Sequence, residues 1–269
     1  MRPLEPNTRT RLSIAELSAV PFAGLPASVR VSDAISGGES TVTPVKDLFA
    51  VPTSASPNVL DVTWDMDGIE VSCEVEVVSS RLCSLDEIRA YRGDQYQNAG
   101  VDADDVFAAR QRAEAIIERA ANRHFQPVAQ RVFVDRPNCS ARTQLMADDG
   151  SILHDVLRIE GCVGSGRTGK TSNSRPGSQF VDVSSMRPGQ SAVAVAVCGM
   201  PTTPPEARDA VRELAAWLVA EHAEPDNALS MSSEAGVVNF VVSGVNGETP
   251  LPEVNALIKR YERRDMVIG

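Results

Sequence analysis

Ile69-Glu-Val-Ser-Cys-Glu-Val-Glu-Val-Val-Ser-Ser-Arg-Leu-Cys-Ser-Leu-Asp-Glu-Ile-Arg-Ala-Tyr91 carries two different periodicities within 23 residues. In its first half Ile69, Val71, Cys73, Val75 and Val77 alternate with Glu70, Ser72, Glu74 and Glu76. A period of two predicts a strand that buries the first set and turns the second to water. In its second half Ser84-Leu-Asp-Glu87 fits a capping box, with the serine accepting from a first-turn N–H and the glutamate reaching back. A short helix to Tyr91 is expected. β texture gives way to helical texture at this point, so the predicted class is α+β. A small antiparallel β domain, Ig-like or barrel, is expected over 1–80. A helical bundle is expected over 84–269, with a β insertion around 128–198.

Upstream, Asp65-Met-Asp-Gly68 supplies turn residues between the alternating strand and Val59-Leu-Asp-Val-Thr-Trp64, so the pair reads as a hairpin. Ser28-Val-Arg-Val-Ser32 reads as another strand. Residues 1–80 hold 5 basic and 11 acidic side chains, −6 of the chain's net −10.

Downstream, a long helix is expected from Asp102 or Asp104, where Val106, Ala109, Ala113, Ile116, Ile117 and Ala120 recur at helical spacing. Acids open it and Arg119 and Arg123 close it, matching the helix dipole; His124 reads as a further dipole partner at its end. Val128–Val134 and Ile152–Ile159 read as two strands joined by a polar loop, with further strands at Phe180–Val183 and Ala192–Cys198. Pro204-Pro205-Glu206 begins a second long helix whose apolar face holds Ala207, Val211, Leu214 and Leu218, flanked by Ala210 and Trp217. A last helix is expected from Pro252 to Arg264, with Val254, Leu257, Ile258 and Tyr261 inward.

The chain has 269 residues, 42% hydrophobic and 23% charged, enough for one large or two modest cored domains. A net charge of −10 argues against a strong grip on nucleic acid or anionic lipid. Cys73, Cys83, Cys139, Cys162 and Cys198 form no CxxC, and His124, His154 and His222 are scattered. They are expected to be neither a zinc site nor a disulfide framework, but small buried groups in a reducing compartment. No stretch has transmembrane length and no signal peptide is evident, so no membrane role is expected.

Gly164-Ser-Gly-Arg-Thr-Gly-Lys-Thr171 satisfies the P-loop pattern, with Lys170 on phosphates and Thr171 on magnesium in a nucleotide-binding alternative. That chemistry needs the lysine and threonine to open a helix facing the phosphates. Ser172-Asn-Ser-Arg-Pro-Gly-Ser178 cannot be that helix, because Pro176 and Gly177 break it and no apolar periodicity would pack it. Residues 164–178 read instead as a basic Gly/Ser loop. The acids at 102–105 and 65–67 read as caps and turn residues, and nothing assembles a catalytic, cofactor or metal site.

From Ser84 onward the layout resembles the head-to-tail adaptor (connector, head-completion) proteins of long-tailed bacteriophages. The resemblance runs through the capped helix 84–91, the long alanine-rich helix, and its closing turn Ala120-Ala-Asn-Arg-His-Phe-Gln-Pro127. It continues through Pro205-Glu-Ala-Arg-Asp-Ala-Val-Arg-Glu-Leu-Ala-Ala-Trp217. It ends in Leu229-Ser-Met-Ser-Ser-Glu-Ala-Gly236 and Leu251-Pro-Glu-Val-Asn-Ala-Leu-Ile-Lys-Arg-Tyr261, similar to the family's S-x-S-x-E-x-G and P-x-V-x-A-x-L-x-R-Y ending. It implies a structural protein and not an enzyme, made in the host cytoplasm and built into the virion neck. There a dodecameric ring would sit between the portal protein and a head-completion stopper or tail-completion protein, with packaged DNA passing through its lumen without sequence-specific binding. Residues 1–80 would be an accessory module. A host- or carbohydrate-binding β module on a helical stalk is the other alternative. Within the resemblance, Arg167, Lys170 and Arg175 are expected to meet the lumen or a neighbouring subunit. Lys259, Arg260, Arg263 and Arg264, with Met266, Val267 and Ile268, are expected to dock on the portal.

Overall fold

The computed structural model describes residues 3–46, 48–52, 57–91, 101–135, 138, 142–147, 153, 155–163, 180–182, 187–189, 191–220, 230–233, 236–239 and 249–263. The fold is α+β. Two compact units divide the chain: Met1–Arg81 with Arg123–Thr202, and Leu82–Asn122 with Thr203–Gly269.

The first unit is β-rich. Strands β1 (Arg9–Ser13), β2 (Val29–Asp33), β3 (Glu39–Val42), β4 (Asn58–Met66) and β5 (Ile69–Val78) form a sheet in the order β1-β5-β4-β2-β3. The expected β4–β5 hairpin is present: Met66 faces Ile69 across Asp67 and Gly68, at φ 54° and 86°. Two successive positive φ values make the turn whose twist matches its strands. The sheet is mixed and not antiparallel throughout, because edge strand β1 runs parallel to β5.

Strands β6 (Val128–Asp135), β8 (Met146–Ala147), β9 (Val156–Val163) and β11 (Ser191–Cys198) form a second sheet in the order β8-β6-β11-β9, and β7 (Arg142–Gln144) pairs with β10 (Phe180–Asp182). β6 and β9 are thus not a hairpin; each pairs with β11. The reason lies in composition, since Ala192–Cys198 is apolar at every position and suits the centre of a sheet covered on two faces. One β11 face, Ala194, Ala196 and Cys198, joins Val132, Val134, Leu145, Leu153, Val156 and Ile159 in a core. The other, Val195 and Val197, packs with Ala129 against Val59 of β4. The insertion therefore shares a core with residues 1–81, and the boundary expected between 1–80 and everything after 84 is not where the chain divides.

That shared core also revises the alternation on β5. Val75 and Val77 are buried as expected, but Ile69 is 67% exposed and Glu76 only 6%. Ile69 sits at the hairpin tip, beyond the covered part of the sheet. Glu76 faces the arginines of β1: Arg9 Nε lies 2.7 Å from its carboxylate and Arg11 Nε 3.0 Å. From the second sheet, Arg131 pairs with Asp61 of β4 and reaches Glu74 at 3.3 Å. The second sheet and the arginines cover Glu74 and Glu76, while Glu70 and Ser72 remain exposed as the alternation predicts.

The second unit is helical. α1 (Leu85–Ala90) begins in the full capping box: Glu87 N–H donates to Ser84 Oγ at 3.1 Å, and Ser84 N–H donates to the Glu87 carboxylate at 2.6 Å. α2 (Ala103–Ala121) starts at Asp102, whose carboxylate accepts from Asp104 N–H, and stops at Asn122 in the left-handed conformation. α3 (Pro205–Val219) and α4 (Pro252–Tyr261) both have proline in the first turn. A hairpin of β12 (Ser230–Ser233) and β13 (Gly236–Asn239) lies between them in sequence. α2 and α3 pack together, with α1 and α4 against both.

The buried faces are rotated slightly from expectation. On α2, Arg110, Glu114 and Glu118 are buried while Ile116 and Ala120 are half-buried; on α3, Ala215 and Ala216 are buried and Leu218 is half-buried. α2 is covered from three sides, so its contact stripe is wider than its apolar one. α4 ends at Tyr261, short of the expected Arg264, and the chain turns toward α2: Arg263 N–H donates to Ala121 O at 2.9 Å and Asn122 Nδ2 donates to Arg263 O at 3.3 Å.

Candidate functional site

α3 and α4 lie side by side and leave a groove of about 300 Å³ between them. Its floor is apolar, of Ala210, Val254 and Leu257, and its walls carry Glu206, Asp209, Glu213 and Glu253. Glu206, Asp209 and Glu213 follow one another at three- and four-residue spacing, so they share one face of α3. Arg260 crosses from α4 to within 3.4 Å of Glu206, and its guanidinium also lies 5.4 Å from the Tyr261 ring centroid. Four acids against this one base leave the lining at −3. Of the four acids, Glu206 is paired with Arg260 and Asp209 with Arg212, and Glu213 is buried.

A second cavity, about 230 Å³, opens between α1 and the start of α3 and is lined by Leu82, Cys83, Glu87, Pro205, Arg208, Asp209 and Arg212. Its arginines are engaged within the unit. Arg208 Nε donates to Leu82 O at 3.0 Å, and Arg212 donates to Asp209 at 2.8 Å with its guanidinium 4.8 Å from the Tyr91 ring centroid. Two hydrogen bonds to Ser84 hold the Glu87 carboxyl below its ordinary range, with Arg208 and Arg212 adding to the effect. These groups fix α1 against α3.

In the β unit, Glu76 lies in a seam of ion pairs with Arg9 and Arg11. Burial would raise the Glu76 carboxyl, but Arg11, Arg9 and then His124 outweigh it and the net shift is downward. The His124 ring is 2.9 Å from the Gln130 side chain, two residues beyond the end of α2 at Asn122. Arg123 pairs with Asp155, both nearly buried. Burial, with Asp61 and Glu74 adding to it, pushes the Cys73 thiol up to about 12. Cys73, Cys83 and Cys198 are buried free thiols, as the sequence suggests; Cys139 is outside the described residues and nothing is described of the Cys162 side chain.

One end of the first sheet is apolar on the outside. Leu25, Val45, Leu48 and Ile69 are 62%, 68%, 44% and 67% exposed. In the same unit Phe22 packs edge-on against Phe49 and Trp64, all three buried, and Trp64 Nε1 donates to Ala23 O at 3.2 Å.

The sequence-predicted site residues are only partly placed. Arg167, Lys170, Arg175 and the whole of Gly164–Thr171 lie outside the described residues, as do Arg264, Met266, Val267 and Ile268. Lys259 and Arg260 are exposed on the last turn of α4, and Arg263 is exposed just beyond it. Arg260 faces the groove, and the Arg263 backbone is tied to the end of α2. Nothing but the Glu206/Asp209/Glu213 spacing marks the groove acids in the sequence, as one stripe on a helix. Among the described residues no group of three or more His, Cys, Asp or Glu side chains could hold a metal ion, and no helix is long and apolar enough to cross a membrane. No family model matches the chain, and no curated protein matches it.

Proposed function

We propose that this chain is a structural subunit of the neck of a long-tailed phage, a head-to-tail adaptor acting through self-assembly and not through catalysis. The observation that carries the reading is the composition of the helical unit. Its two sequence segments, 82–122 and 203–269, lie on either side of a β region in the chain and pack as one unit. The order is a capped short helix, a long helix closed by a left-handed Asn122, a second long helix, a hairpin over Ser230–Asn239 and a closing helix. That order is the layout on which the resemblance to adaptor proteins rests. In this reading subunits join as a dodecameric ring under the portal, stopper or tail-completion proteins bind the other side, and DNA passes through. The ring is assembled in the host cytoplasm and retained in the virion.

The test is imaging and attachment. Purified chain is expected to form closed rings by negative-stain microscopy and to cosediment with portal-bearing, DNA-filled heads. A chain that stays monomeric and ignores such heads would overturn the proposal.

A second reading has one observation in its favour, the apolar tip of the first sheet, which suits a binding module. Its exposed groups are aliphatic, while Phe22, Phe49 and Trp64 are buried, so the tip suits a protein contact better than stacking on a sugar. Glycan binding by the intact chain would favour that reading. Nucleotide binding at Gly164–Thr171 is tested by ATP affinity.

A further inference from the structure

We propose that the second sheet of the β unit is docked on the first through a small apolar contact latched by Arg131, and that it opens as a body while both sheets stay folded. The inference concerns the β unit alone and does not rest on the adaptor reading.

The covered face of the first sheet is built like a surface. Along β4 it carries Val59, Asp61, Thr63 and Asp65, and opposite them on β5 stand Glu76, Glu74, Ser72 and Glu70. Arg9 and Arg11 of β1 sit beside Glu74 and Glu76 on the same face. Val59 is the one apolar residue in this set. Glu76 is compensated chiefly from within its own sheet, by Arg11 and Arg9, with His124 of the inserted segment a lesser contributor. Its charge balance therefore survives departure of the second sheet.

Each sheet also has an apolar core on its far face. In the first sheet Leu60, Val62, Trp64, Cys73, Val75 and Val77 are buried there. In the second, Ala194, Ala196 and Cys198 turn to a core with Val132, Val134 and Leu145. What joins the sheets is smaller: Ala129, Val195 and Val197 around Val59, with Ala34, Ile35 and Leu157 at its margin.

The latch stands at the rim of this contact. Arg131 pairs with Asp61 and lies 3.3 Å from Glu74, and the three side chains are 27%, 41% and 18% exposed. Two residues further along the same strand face, Phe133 is 53% exposed, and Val193 opposite it is 38% exposed. Cover from the first sheet has ended by that point. Ion pairs that reach water contribute little to stability and weaken as salt is raised, so the arginine registers the sheets more than it holds them. Packed bodies of one chain joined by a small, polar-rimmed contact open locally at lower cost than the chain unfolds. Opening presents Val59 on one sheet and Ala129, Val195 and Val197 on the other, an apolar surface that the closed state hides.

Thiol labelling of the full-length chain tests the inference. Val59→Cys and Val195→Cys, made singly, put a thiol on either side of the contact with little change of volume. Native Cys73 and Cys198, buried on the far faces of the two sheets, are references in the same molecules. Alkylation by iodoacetamide under native conditions is read by peptide mass mapping, and each rate is divided by that of the same thiol in urea. Positions 59 and 195 are expected to label at least tenfold faster than Cys73 and Cys198. Adding Arg131→Ala should speed both positions about fivefold or more and leave the reference thiols unchanged. Hydrogen exchange across β4, β5, β6 and β11 should not rise, because the backbone ladders stay closed when the sheets part. Circular dichroism checks each fold, and the two positions report the same event from opposite sheets, so either variant suffices. Equal rates at all four thiols overturn the inference. So does an Arg131→Ala effect that spreads to Cys73 and Cys198, or one that brings a matching rise in exchange, since the two sheets then open only by unfolding together.

Discussion

The β unit and the groove side of the helical unit place their carboxylates differently. In the β unit, Glu76 of β5 is buried and Glu74 mostly covered, met by Arg9 and Arg11 from β1 and by Arg131 from the second sheet. In the helical unit Glu206, Asp209 and Glu253 stand exposed along the groove between α3 and α4, and apolar side chains such as Val211, Leu214 and Val254 hold the helices together. A buried carboxylate whose arginines are in place is tolerated but not freely exchangeable, because losing either partner strands the other away from water. An exposed carboxylate on a helix wall contributes little to folding and is available for a partner. The difference separates residues that maintain a fold from residues that can change their ligand.

Glu76→Ala is the largest expected way to break this contrast. It leaves Arg9 and Arg11 without their nearest carboxylate and should destabilise the β unit by about 3–5 kcal/mol. Hydrogen exchange read by region should rise across β1, β4 and β5. Comparable loss from Asp209→Asn would mean that the groove acids hold the fold after all.

Leu214→Ala is the matching change on the other side. Leu214 is 1% exposed on α3, and deletion of a buried leucine of this kind costs about 2–5 kcal/mol. Exchange should rise first in α2 and α3. A larger rise in the β strands than in these helices would refute the division into two units.

Acid separates the units without mutation. The folded-state carboxyl of Glu76 is held below its unfolded value, so its contribution is complete above the ordinary carboxylate pKa. It is lost as pH falls through the lowered folded value. Melting followed by β-sheet signal should therefore drop on acidification below the usual carboxylate range, and Glu76→Gln should flatten that drop.

How much of this was legible in the sequence follows from how local each determinant is. The capping box at Ser84–Glu87, the prolines opening α3 and α4 and the Asp67-Gly68 turn are all set within a few residues, and each is where the sequence places it; the long helix stops at Asn122, a little before the Arg123 and His124 expected at its end. Glu76 could not be read so. Its partners Arg9 and Arg11 come from a parallel strand more than sixty positions away, and the covering Arg131 lies beyond α2. Period two says that neighbours on β5 face opposite ways; it does not say that the second face is wet. The same reason hides the union of 123–202 with 1–81, which depends on Val59 meeting Ala129, Val195 and Val197. The groove acids are intermediate: their spacing on α3 is local, but that a helix carrying Glu253 lies opposite is not.

The smallest expected effect is at the apolar tip and has the opposite sign. Leu25 is 62% exposed and has φ 45°, the left-handed region that a branched side chain enters at a cost of roughly 1–2 kcal/mol. Its neighbour Gly24, at φ 78°, adopts the same region with no such penalty. Asparagine tolerates this conformation better than leucine and, unlike glycine, does not greatly widen the freedom of the unfolded chain. Leu25→Asn should therefore stabilise the β unit, by about 0.5–1 kcal/mol, read as a higher urea midpoint at unchanged slope. The base beneath is already packed by Phe22, Phe49 and Trp64, so little burial is lost in the exchange. A lower midpoint would show that Leu25 contributes to that aromatic base, and the tip would then belong to the interior of the β unit and not to its outer surface.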